Sequence, residues 1–289
     1  MGFLYEIIRF PYHLSRKIYK NFNLIIQRLF FKIDKNYLRN KFLQLGLKKG
    51  MNIYIHSSLS SFGYIEDGAN SVITVLKDII KDGTIMMPTF TYAKKEFNLN
   101  ETCWTGKIAE TFRLQENTKR SINPTHSVAV QGKYADSLAK GHEKSKAPFD
   151  ENSPFAKFVK LDSYILMLGT ENNSMIHYIQ NKINFPHLFL SRIHEFKFNN
   201  KIIKTKLHHP KVSITYICNG KPCTDVQFLV KMYKDLKFEG RIMKTVKIGN
   251  AVCHLIKTKE FVNEATKYLK DNIKKYKNEY SLRLKDGSS

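Results

Sequence analysis

Three stretches of this chain hold the side chains that could do chemistry. They are Ile55–Ala69 (IHSSLSSFGYIEDGA), Arg120–Gly132 (RSINPTHSVAVQG) and Ser153–Gln180, which contains SPFAKF, LMLGT and MIHYIQ. The first sets His56 at the end of an apolar run, ahead of a small-residue loop and a helical pattern. Such a loop leaves backbone N–H groups free for an anion, and Ser57, Ser58, Ser60 and Ser61 add hydroxyls without bulk. The second offers Arg120, whose fork of donors matches a phosphate. Pro124 then fixes a turn, and Thr125, His126 and Ser127 follow. In the third, Ser174 is a predicted helix N-cap, which puts His177 in the first turn. The positive helix end disfavours imidazolium there. A neutral imidazole is what a general base needs to take a proton from an ammonium group. Taken on residue types alone, each has a structural alternative: His56 as a strand-end residue, His126 as a turn residue, His177 as a surface or core-satisfied helical residue.

The elements that must position these residues alternate. Apolar runs predict strands over 53–56, 84–88, 127–131, 164–168 and 251–256, and helical spacing predicts helices over 71–80, 105–114, 134–140, 174–182, 224–236 and 259–275. Between 202 and 217 alternation takes over and predicts antiparallel strands. Strand–helix alternation argues an α/β fold with helices flanking a sheet, and the later strands a smaller β-rich subdomain. The organisation read from this is a basic amphipathic segment over 1–32, one domain over 33–277 and a C-terminal tail over 278–289. Leu14, Ile18, Phe22, Ile25 and Leu29 share a helical face in the first segment. That face could lie on anionic lipid as a peripheral contact, or pack on the domain or a second subunit.

Composition narrows the classes. With 289 residues and 42% hydrophobic residues the chain can bury a full core, which excludes intrinsic disorder. Lys and Arg outnumber Asp and Glu by 48 to 25, a net charge of +23 that favours anionic partners. Neither zinc-ligand spacing nor an RNA-binding aromatic pattern occurs, so neither a metal nor nucleic acid is expected. The four cysteines read as free thiols of a reducing cytoplasm. No apolar run is long enough to span a bilayer, and no leader-type cleavage site stands out.

Together the three blocks resemble the aminoglycoside 3-N-acetyltransferase family, over about residues 35–275 and most closely in the first 180. The resemblance implies a central mixed sheet flanked by helices, and transfer of an acetyl group from acetyl-CoA to a sugar amine in a ternary complex, with backbone N–H groups holding the developing oxyanion. It places the cofactor along His56, Ser57, Ser58, Leu59 and Ser60, with Arg120, Ser121 and Ser127 nearby. His177 takes the place of the family's catalytic His. The family often has another His where this chain has Asn123, and His126 could stand in for it.

Departures fall on the acceptor side. The family commonly has an acidic residue after the Pro-Thr-Phe-Thr segment, where this chain has Lys94 and Lys95 with only Glu96 close. It also carries a Glu three residues after the catalytic His, and here that residue is Gln180. Lys94, Glu96, Asn123 and Gln180 are therefore the expected acceptor contacts. Two like charges at about 4 Å near a protein surface repel by about 4 kcal/mol before screening. That favours an anionic acceptor, a dTDP- or UDP-linked amino-deoxy sugar of surface-polysaccharide synthesis, over a cationic drug. Aminoglycoside resistance is the alternative. A non-enzymatic reading is a basic membrane-surface or nucleic-acid binder on an inactive transferase scaffold.

Overall fold

The computed structural model describes residues 32–92, 94–185, 188–208, 216–218 and 221–285. All but the last residue of the 1–32 segment, and the terminal four residues, lie outside these. In chain order the elements are α1 (Lys35–Leu45), β1 (Asn52–Ser57), α2 (Ala69–Ile80), β2 (Thr84–Pro88), α3 (Lys107–Arg113), β3 (Lys119–Arg120), β4 (Val128–Gly132), α4 (Ala135–Ala139), α5 (Pro154–Val159), β5 (Ser163–Leu168), α6 (Met175–Lys182), β6 (Phe189–Phe198), β7 (Lys201–His208), β8 (Tyr216–Cys218), β9 (Lys221–Cys223), α7 (Asp225–Asp235), β10 (Met243–Ile248), β11 (Ala251–Lys257) and α8 (Thr258–Lys285).

Seven strands form one sheet in the order β10-β11-β5-β1-β2-β4-β3. The inner three, β5, β1 and β2, are parallel, and every outer pairing is antiparallel. The expected mixed sheet with flanking helices is therefore present. Parallel strands are covered on both faces, so they read as unbroken apolar runs. In β1, Ile53 and Ile55 point to a core shared with α1, α2 and α3. Tyr54 points to the other core, beneath α4 to α8. The β-rich part is two hairpins, β6–β7 and β8–β9. The first is tied to the segment after β2, where Lys197 N–H donates to the Lys95 carbonyl and Phe97 N–H to that of Lys197.

Several elements escape the sequence pattern, the strands β3 and β6 among them. Helix α1 is mostly polar and buries only Leu38, Phe42 and Leu45; the Asp34 carboxylate caps it by accepting from Tyr37 N–H at 2.7 Å. Helix α5 spans six residues behind a Ser153 cap, and β10 buries Met243, Val246 and Ile248 at a sheet edge. The closing helix runs to Lys285, ten residues past its predicted end and through much of the expected tail. Cys103 and Cys253 are buried free thiols, but Cys223 is disulfide-bonded, which corrects the expectation of four free thiols. Among the described residues, no helix is long and apolar enough to cross a membrane and no His, Cys, Asp and Glu group could hold a metal.

Candidate active site

The chain leaves β1 for β2 on one side and returns much later to form β5 on the other. Ligands of open α/β sheets bind at such a switch, outside the carboxyl ends of the strands. Here β1 delivers Tyr54 and His56, β5 ends at Gly169, and α6 follows with His177. Gly169 has φ +67, and a Cβ there would meet the Ser61 Cβ at 2.7 Å. The Ser61 hydroxyl also donates to the Gly169 carbonyl at 2.6 Å, so the two loops are closely packed.

Ser174 is clamped by β1. Its hydroxyl pairs with the Tyr54 hydroxyl at 2.6 Å, and its backbone N–H donates to His56 Nε2 at 3.3 Å. Ser174 is the N-cap residue, as expected, but its hydroxyl makes no cap bond; the Asn173 side-chain oxygen accepts from Met175 N–H at 3.1 Å instead. The clamp fixes the start of α6 and hence the direction of His177.

His177 lies in the first turn, as expected. Its Nδ1 is 2.7 Å from Gln180 Oε1. A carboxamide oxygen only accepts, so Nδ1 carries the proton and the Nε2 lone pair is left as a base. The ring packs on Phe149 at 5.3 Å and on His208 at 4.5 Å between centroids. In front of it opens a cavity of about 260 Å³, lined by His56, Ser57, Phe90, Trp104 and Thr170 among others. Among the described residues, no carboxylate lines it. Glu171, beside the lining, is 3.0 Å from His254 Nε2. Burial, reinforced by His177, pushes His56 down to about 3. It is a neutral acceptor for Ser174, not a titrating catalyst.

The other expected site residues separate from this cavity. Of the serine loop, Ser57 lines it. Ser58, Leu59 and Ser60 sit behind, where Leu59–Ser61 makes a single 3-10 turn; α2 begins only at Ala69, so its dipole is not at the loop. Arg120 was expected to meet phosphate, but its donors are committed to the protein. They reach the carbonyls of Leu99 (2.7 Å), Glu101 (2.6 Å) and Thr89 (2.9 Å) and the Ser127 hydroxyl (3.1 Å). Burial, with Arg113 nearby, lowers its pKa to about 10. Ser121 and Ser127 are fully buried. Ser121 bonds His142 Nδ1 and Val128 N–H, and Ser127 donates to the Thr89 carbonyl at 2.7 Å. These three residues hold β4 to the end of β2 rather than reaching a ligand.

Asn123 is likewise a turn residue. It is fully buried, and its side-chain oxygen accepts from Thr125 and His126 N–H groups. His126 hydrogen-bonds Thr125 at 2.8 Å and packs between Phe90 and Phe149. Burial first, then His177 and His142, holds its pKa well below the usual range. Gln180 is buried and orients His177 instead of touching the acceptor. Lys94 is exposed and paired with Glu101 at 2.5 Å; exposed Glu96 bridges Lys197 on β6. Neither lines the cavity. Sequence reasoning missed Tyr54, Asn173, His208 and Trp104. Only Tyr54 had a local signal, lying two positions before His56 on the same strand face.

Fold and site define an α/β enzyme with a hydrogen-bonded imidazole lining a cavity at its strand ends. The description of the family whose pattern matches residues 54–270 is aminoglycoside 3-N-acetyltransferase, and the chain belongs to that family. The resemblance read from the three blocks is thereby borne out, and with it N-acetyl transfer and acetyl-CoA as the family's reaction and cosubstrate. The chain is 28% identical over 281 residues to the SPbeta prophage-derived aminoglycoside N(3')-acetyltransferase-like protein YokD of Bacillus subtilis, covering 87% of this chain and 97% of that one. The YokD crystal structure matches with a TM-score of 0.67 at 25% identity, over 81% of this chain and 92% of that one. Aminoglycoside N(3)-acetyltransferase III of Salmonella is 26% identical over 265 residues, covering 80% and 89%. A structure of AAC-IIIb with CoASH shares the fold with a TM-score of 0.71 at 19% identity, over 83% and 97%.

Proposed function

We propose that the protein transfers the acetyl group of acetyl-CoA to a primary amine of an amino sugar, with His177 Nε2 as general base. The observation that carries this is the His177–Gln180 bond at 2.7 Å beside a cavity at the parallel strand ends. Nε2 takes a proton from the ammonium, and the freed nitrogen attacks the thioester carbon. The C–S bond breaks, and the leaving thiolate takes the nitrogen's second proton to give the amide and CoA thiol. The lining of Ser57, Thr170 and Asn172 supplies neutral hydrogen-bonding groups, which suits a thioester and the amides of its pantetheine arm.

The relatives' names support an aminoglycoside as the acceptor. They support it better than the nucleotide-linked sugar favoured by the charge argument. A dTDP- or UDP-linked amino-deoxy sugar is the second reading. What favours it is the net charge of +23 and, among the described residues, a cavity lining without a carboxylate to hold a polycation. Thiol release from acetyl-CoA, measured with sisomicin and with nucleotide-linked amino sugars, separates the two. Turnover with sisomicin alone supports the first reading, and turnover with the nucleotide sugar alone replaces it. No release with any primary amine would end the transferase proposal.

A further inference from the structure

Two neighbouring aromatic rings, one of which lines the cavity, are exposed in a way packing does not explain. Trp104 is 52% exposed and Tyr92 72%, with their rings stacked 6.1 Å apart and tilted by 30°. Tryptophan is highly buried on average, so a half-exposed one beside a second exposed ring marks a surface with a use. Trp104 also lines the cavity that holds His177. Its position is fixed from behind. The Trp104 backbone N–H donates to the Phe90 carbonyl at 3.0 Å, and the Thr105 hydroxyl to that of Pro88 at 2.6 Å. The edge of the indole meets Phe90 at 5.8 Å and 67°. The end of β2 thus holds the indole as a pre-organised wall.

We propose that Trp104 and Tyr92 form a stacking platform for the ring of the acceptor sugar. The electronegative face of an aromatic ring attracts polarised C–H groups and ammonium groups, both of which an amino sugar presents. A platform of this kind binds without ion pairs, which fits a cavity wall where, among the described residues, no carboxylate is found. The competing occupant is the adenine of CoA. Adenine lies a full pantetheine arm from the thioester, whereas the acceptor amine must come within hydrogen-bond reach of His177, in the chamber Trp104 lines. This inference rests on the proposed amino-sugar reaction and names the residues that would hold its acceptor.

Trp104 is the protein's one tryptophan, so its fluorescence reports on the platform directly. Sisomicin, a nucleotide-linked amino sugar and CoA are each titrated into the wild-type protein. The expected result is a saturable change with the amino sugar that turns over, weakened in Tyr92→Ala. In steady state, Trp104→Ala raises the acceptor KM about three- to tenfold with kcat and the acetyl-CoA KM unchanged, and Trp104→Phe recovers most of the loss. A change with CoA alone, or a raised acetyl-CoA KM, would assign the platform to adenine and overturn the proposal. So would an acceptor KM that does not move. If His177→Ala keeps full turnover, the proposed reaction fails at its base; the titrations still decide whether an amino sugar stacks on Trp104.

Discussion

His126 and His177 share a neighbour, Phe149, whose ring centre lies 4.9 Å from one imidazole and 5.3 Å from the other. Each sits in a block that resembles the same family. Their surroundings then diverge. His126 is held by Thr125 within its own turn and wedged between Phe90 and Phe149, so it is part of a wall. His177 has Gln180 behind one nitrogen and a cavity in front. What distinguishes the proposed base from a packing residue is a fixed partner on one nitrogen together with a place in the cavity lining. The same contrast covers the segments that carry them. Arg120, Ser121, Asn123 and Ser127 turn their polar groups inward, while Ser57, Thr170 and Asn172 line the cavity.

The sharpest test of the contrast is a pair of variants. His177→Ala is expected to lower kcat by about 10²–10⁴, the usual worth of a general base, whereas His126→Gln lowers stability more than kcat. Equal losses of turnover in both would erase the distinction. Next comes Arg120→Met, which removes charge-assisted bonds to the Leu99, Glu101 and Thr89 carbonyls. It should cost about 2–4 kcal/mol in urea unfolding and leave the acetyl-CoA KM of the folded enzyme unchanged. A raised KM without lost stability would return Arg120 to the cofactor.

Acid titration probes the wall itself. His56 and His142 are held neutral by burial, near 3 and 4 against an ordinary 6.5. Between those values the unfolded chain binds protons that the folded one does not, so stability rises with pH and falls as pH drops below about 6.5. The loss levels off only near the folded values. It should reach up to about 3 kcal/mol per pH unit for the two together. Urea midpoints that stay flat from pH 7 to 5 would show that water reaches these rings. The smallest effect is expected from Gln180→Met, which frees the His177 ring to rotate or change tautomer. It should lower kcat about tenfold with little change in KM.

Much of the sheet was legible because its inner strands are covered on both faces. NIYIHS, TIMMP and SYILML are short apolar runs bounded by turn residues, and their predicted bounds fall within one or two residues. Helix α1 was not, because a helix that buries three residues in eleven has almost no periodic signal. For the site, the family-like blocks pointed to His177 and Ser57, which line the cavity, and also to Arg120, Ser121, Asn123 and His126, whose polar groups are bonded within the protein. Residue type shows what a side chain can bond, and Arg120 illustrates that it does not show which partner is nearer. Trp104 and His208 come from distant loops and strands, so no local pattern could have flagged them.

The bond between Tyr54 and Ser174 joins residues 120 positions apart, and the six-residue pairing of β1 with β5 has the same long reach. During synthesis, β1 can find β2 early, but its other edge has no partner until β5 has left the ribosome. At about 5–20 residues per second, that edge waits for roughly 5–20 s. An apolar strand with an open edge is a template for mispairing. The strand that anchors the catalytic chamber is therefore also the chain's main hazard on the way to it, and the enzyme's yield in a cell depends on how well that interval is protected.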